Sequence, residues 1–189
     1  FVGFFGYAKN ATIKNVTFAG NVNAKGQFVG GIVAHVNGGK IENAKVTAGQ
    51  IYSESNHVGG IVARVCADTE ITGCVVESQV SSKTGIVGGI AGRVYGVTIK
   101  NSLVSSKGAV TSHFMNSAAT SNFGVGGIVG TIETASAYGK KITIDGCANY
   151  ASIAGNFYCG GLMGLVQTKD ASVPVEVKNS LFFGGIKAV

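Results

Sequence analysis

A seven-residue phrase returns down this chain and constrains its fold more than any other feature. It reads FVGGIVA at 28–34, HVGGIVA at 57–63, IVGGIAG at 86–92, GVGGIVG at 124–130 and YCGGLMG at 158–164, after a degenerate opening copy, FVGFFGY, at 1–7. A second phrase follows each one: TIKNV, KIENA, EITGC, TIKNS, TIDGC and EVKNS. Six copies of a two-part unit in 189 residues specify a repeat architecture. Each unit packs on its neighbours instead of around one central core. Residues 1–189 therefore read as a single module.

The Gly-Gly pairs begin at Gly30, Gly59, Gly88, Gly126 and Gly160, with spacings of 29, 29, 38 and 34 residues. The unit is thus about 29 residues long, with insertions at Thr111–Gly124, Glu133–Lys141 and Gln167–Pro174. Helical periodicity is absent. Short Val- and Ile-rich segments separated by Gly, Asn and Ser read as strands. Each unit offers three. The first is the VGGIV segment. The second starts at Ile13, Ile41, Ile71, Ile99, Ile144 and Val177. The third carries Val22, Ile51, Val80, Val110, Ile153 and Ile186. Three short strands per coil predict an all-β parallel β-solenoid (β-helix) of about six coils, stacked at roughly 4.8 Å.

One slot locates a corner. Two residues after each second-strand Ile or Val stand Asn15, Asn43, Gly73, Asn101, Gly146 and Asn179. Asn and Gly share a tolerance of positive φ, whereas a side-chain role would not accept Gly. The slot predicts a left-handed bend, with the Asn residues able to form a ladder along the axis. Beyond it Val16, Ala44, Cys74, Ser102, Cys147 and Ser180 point inward. Phe18, Val46, Val76, Val104 and Phe182 follow on the same face, and Asn149 interrupts that row with an expected local distortion.

The first strand allows two arrangements. Strict alternation places His35, Arg64 and Arg93 outward in a short basic ladder. It also turns out Val29, Val58, Val87 and Val125 with Val33, Val62 and Val129, an exposed apolar stripe suited to contact. A corner at Gly-Gly would instead return a Val row to the core.

Net charge is +6, but the basic residues are scattered and do not interleave with aromatics, so no nucleic-acid partner is expected. No apolar run is long enough for a membrane-spanning helix. Cys66, Cys74, Cys147 and Cys159 form no CxxC pair. Cys74 and Cys147 share one slot two coils apart, too distant for a disulfide. The chain opens inside a repeat at Phe1 and stops just after Ile186, which reads as a segment of a larger protein or one whose ends neighbours cover.

The two phrases, GGIVG and the TIKNS/EITGC type, resemble the GLUG repeat, most closely at Gly126–Gly130 and Gly160–Gly164; the copies ending in Ala34 and Ala63 depart at the last Gly. GLUG repeats occur in bacterial surface and secreted proteins, including adhesin-like proteins and non-catalytic parts of IgA-cleaving metallopeptidases. The resemblance implies an extracellular or cell-surface solenoid and supplies no catalytic residue.

Catalytic signatures are missing from the chain. HExxH, GxSxG, phosphate-loop and Ca²⁺-nonapeptide patterns are absent. His35, His57 and His113 read as surface residues, and the nine acidic residues are dispersed. No catalytic, cofactor or metal residue is assigned. The expected role is a non-catalytic binding or adhesion module. Its partner would be a host protein or glycan, or flanking parts of the same protein, and the three insertions are the first candidates for contact. The alternative is an accessory or spacer domain of a secreted peptidase or glycan-degrading enzyme.

Overall fold

The computed structural model describes residues 1–114 and 123–188. Among them there is no helix, and every named strand pair is parallel. About six coils stack, their strands joined in four parallel sheets of ten, six, six and five strands, so the expected parallel β-solenoid is the fold.

The rows read from the sequence stack in register. Ile13, Ile41, Ile71, Ile99, Ile144 and Val177 are successive partners. So are Val22, Ile51, Val80, Val110, Ile153 and Ile186. All six bend residues have φ between 49° and 65°. Asn43 Nδ2 donates to Asn15 Oδ1 at 3.2 Å, the first rung of the ladder. A Cβ on Gly73 would lie 2.5 Å from Asn43 Oδ1, so Gly there leaves room for the amide of the coil before.

The three strands of a coil are subdivided. Gly-Gly cuts the first into a two-residue strand, as at Val29–Gly30, and a longer one, as at Val33–Glu42. The bend cuts the second between the broad ten-stranded sheet and a six-stranded ladder. In the first two coils the broad sheet holds unbroken ten-residue strands, Phe5–Lys14 and Val33–Glu42. From the third coil that path breaks in two, at Val62–Cys66 and Thr69–Thr72, and likewise in each later coil. The insertions 134–141 and 168–174 emerge from those breaks. Positions 115–122 of the Thr111–Gly124 insertion lie outside the described residues.

The exposed valine stripe does not exist. Val29, Val58, Val87, Val33, Val62 and Val129 are all 0 % exposed, as are Ile32, Ile61, Ile90 and Ile128. The Gly-Gly corner folds the chain back so tightly that both valine rows enter the core. A Cβ on Gly59 would fall 1.9 Å from the Val62 carbonyl oxygen. Gly therefore stands in this pair for space and not for positive φ. The distortion expected at Asn149 is also absent. Its partners are Val104 and Phe182, in register. It is fully buried and satisfied: Nδ2 donates to Gly161 O at 2.9 Å and Oδ1 accepts from Ala151 N at 2.9 Å.

Candidate functional site

The outward row of the broad sheet runs Tyr7, His35, Arg64, Arg93, Thr131, Leu165 along the solenoid axis. Alternation puts these side chains on the far face from Val36, Val65 and Val94, which fill the core. The basic ladder read from the sequence is therefore real, and it forms the floor of a trough.

Aromatic rings make the walls. On one side, the residue before the corner strand is Phe28 or His57, both at positive φ (57° and 61°). That strained backbone turns their rings over the floor. Phe28 stacks on His57 with centroids 4.7 Å apart, and Phe1 stacks on Phe28 at 5.2 Å. On the other side, Tyr95 follows its strand and Tyr138 arrives from the 134–141 insertion; their rings are 5.3 Å apart. The Arg64 guanidinium lies among three rings, 5.7 Å from Phe28, 5.2 Å from Tyr95 and 5.9 Å from Tyr138. Arg93 lies 5.4 Å from Tyr95. Each such contact contributes about 0.5–2 kcal/mol, more as water is excluded.

The two arginines differ in their anions. Arg93 pairs with Glu133, which also accepts from Lys169 Nζ at 2.7 Å. Burial works against the Glu133 charge, but hydrogen bonds from Lys169 and Arg93 outweigh it, and the carboxyl stays below its usual range. Among the described residues Arg64 has no carboxylate partner. Its neighbour Cys66 is 4 % exposed; burial pushes that thiol up, and Arg64 pulls against the shift.

Both trough histidines are neutral near pH 7. His57 is pushed down to about 4 by burial first, then by the charges of Arg93 and Arg64. His35 is held below its ordinary value by burial and then by Arg64. Arg93 Nη1 is 3.2 Å from His57 Nε2. Arginine can only donate, so Nε2 accepts and the proton sits on Nδ1. That Nδ1 is buried without a partner, as are His35 Nε2, Arg64 Nε and Arg93 Nε. Each unpaired buried group costs about 1–3 kcal/mol. Four of them in one trough mark a place where folding stability is not what the residues serve.

Beside Tyr138 the trough opens into a cavity of about 460 Å³ lined by Asn37, Asp68, Ser136 and Lys140 among others. Asp68 Oδ1 accepts from the backbone N of Lys140 (2.7 Å) and Lys141 (3.2 Å), which pins the insertion to the earlier coil. Asp170 of the next insertion accepts from Ser136 N at 3.0 Å. Two of the three insertions thus supply trough residues, Tyr138 and Lys169. At the base of the third, the rings of Phe114 and Phe123 lie 5.1 Å apart.

His57 is not a surface residue: it is 8 % exposed. His35 is half-buried and His113 exposed. Bases and aromatics, separate in the sequence, interleave in space. Of the trough residues, the sequence pattern located His35, Arg64 and Arg93. It did not single out Phe28, Tyr95, Tyr138 or Glu133. The one available signal was the slot before VGG or CGG, which holds an aromatic or imidazole ring in three of five copies, Phe28, His57 and Tyr158, against Ile86 and Gly124.

The acidic residues pair with lysines along the outer rows: Lys14 with Glu42 (2.8 Å), Lys40 with Glu70 (2.8 Å) and Lys45 with Glu77 (3.5 Å). Among the described residues no group of three His, Cys, Asp or Glu converges on one point. No helix there is long and apolar enough to cross a membrane.

No protein-family model matches the sequence, and no curated protein matches it. One solved structure is similar, that of a candidate immunoglobulin A1 protease from Bacteroides ovatus. The TM-score is 0.62 and the identity 20 %, over 95 % of this chain and 51 % of that one. This chain therefore spans about half the length of that protein, and at this identity the likeness is one of fold.

Proposed function

We propose that this chain is a non-catalytic binding module of an extracellular or cell-surface protein, and that the trough is its binding surface. One observation carries the reading. A strip of aromatic rings and arginines with four buried, unpaired polar atoms lies along the axis of a rigid scaffold. Rings supply flat apolar platforms at low conformational cost, and the arginines supply directional donors. The ligand is extended, since the trough crosses several coils. The phrase rows are read as GLUG repeats, whose setting in bacterial surface and secreted proteins agrees with this role.

The experiment is a binding screen of the chain against immobilised glycans and host proteins, repeated with Tyr138→Ala. Tyr138 is 50 % exposed in an insertion, so its truncation leaves the coils intact. At least a tenfold loss of affinity is expected, the scale of an aromatic hot spot. Equal binding by the two proteins, or none by the parent, removes the trough from the account.

A second reading has its own support. The similar structure is that of a candidate immunoglobulin A1 protease and is about twice as long as this chain. On that ground the module acts as an accessory domain that holds a secreted peptidase to its substrate. The same trough serves either reading.

A further inference from the structure

We propose that the trough recognises an acidic glycan, with Arg64 as the subsite for a sugar carboxylate. This rests on the reading of the trough as a binding surface and names the chemistry of what it binds.

The first argument is charge. Arg64, Arg93 and Lys169 bring three positive charges, Glu133 brings one negative charge, and the two histidines are neutral. The balance is two positive charges. Glu133 touches both Arg93 and Lys169, so among the described residues Arg64 is the one of the three with no carboxylate in contact. A charge held this way, without an anion and with its Nε sealed from water, attracts an anionic group into a site of reduced dielectric.

Geometry is the second argument. Three rings surround the guanidinium at 5.2–5.9 Å and restrict its movement. A fixed planar fork matches a carboxylate better than a mobile ammonium would. The rings around it differ in exposure. Tyr138 is 50 % exposed, whereas Tyr95 is 9 % exposed, so Tyr138 is the ring available to the C–H face of a pyranose.

The third argument separates a glycan from a peptide. An extended peptide is ordinarily held by adding a strand to a free sheet edge. The strands under the trough, Val33–Glu42, Val62–Cys66 and Ala91–Val94, are paired on both sides. They offer no backbone edge, only side chains. A chain of sugars, which needs ring platforms and point donors, fits that surface.

The test uses the full chain on an array of carboxylated glycans, uronic-acid oligomers among them, each printed beside its carboxyl-reduced form. Poly-glutamate and single-stranded oligothymidylate are included. At least one carboxylated glycan is expected to bind ten times more tightly than its reduced form, with affinity falling as salt rises. Arg64→Gln should abolish that preference, and Arg64→Lys should restore only part of it, since charge returns without the planar fork. Urea unfolding of each variant checks that the coils persist. Equal binding of both forms, unaffected by Arg64→Gln, overturns the carboxylate subsite and leaves the binding reading standing. Binding of poly-glutamate or oligothymidylate alone overturns the glycan. No binding to anything on the array overturns both. Should Arg64→Gln fail to fold, the reduced-form comparison and the salt dependence on the parent protein still decide.

Discussion

Replacing His57 by Phe should make the solenoid less sensitive to acid. The ring stacks on Phe28 at 4.7 Å, so a phenyl group keeps the stack while removing the titrating nitrogens. In the native state burial and the neighbouring Arg93 and Arg64 hold His57 at about 4, against an ordinary 6.5, with Glu133 opposing them. The neutral ring is thus the native form. Between pH 6.5 and about 4 the unfolded chain binds the proton and the native chain does not. Stability is complete above that window and falls as the pH drops through it. From pH 7 to pH 4.5 the loss from this residue comes to about 2 kcal/mol. Urea unfolding at both pH values measures it. The parent protein should lose about 2 kcal/mol more than His57→Phe over that interval. His35 and Glu133 titrate in both proteins and largely cancel in the difference. Parallel losses would mean that His57 is not held neutral by its burial, and the tautomer assigned to it would fall as well.

The remaining outcomes follow from the coil. Gly59→Ala, whose Cβ would meet the Val62 carbonyl oxygen at 1.9 Å, should destabilise by about 3 kcal/mol or more. Gly185→Ala, with nothing within 4 Å, should change the urea midpoint by less than about 0.5 kcal/mol equivalent. At the bend, Asn101 has φ 49°, so Asn101→Ala should be less stable than Asn101→Gly by about 1 kcal/mol in the same assay; the reverse order would deny the left-handed corner its role. All four cysteines are free, and burial pushes Cys74 up to about 11 while Cys159 is half-exposed. A thiol reagent at pH 8 should label Cys159 well before Cys74, and intact mass without reductant should show no disulfide between Cys74 and Cys147.

Much of the fold was legible because a solenoid writes its geometry into columns. Ile41 and Ile71 occupy one column, and their pairing needs no knowledge beyond the period. The bend was legible because Asn43 and Gly73 have only positive φ in common. What stayed hidden was how Gly-Gly closes. Alternation assumes a continuous strand, and the fold-back at Gly59, demanded by an oxygen 1.9 Å from the missing Cβ, breaks that assumption. The trough was hidden for a related reason. Phe28 comes from the corner, Arg64 from the broad sheet and Tyr138 from an insertion 74 residues further on, so no sequence window contains them together.

Stacking also fixes how such a molecule answers to force. A coil of about 29 residues occupies only about 4.8 Å along the axis. Stretched out, the same residues reach about 100 Å. Each coil is therefore a store of contour roughly twenty times its folded height. Backbone hydrogen bonds to its neighbours hold it, and these would be loaded one coil at a time when the chain is drawn out along that direction. A domain tethered at a surface and pulled through its ends would lengthen in discrete steps of that size. A ligand lying along the trough, across the coil boundaries, would raise the force at which the first step comes.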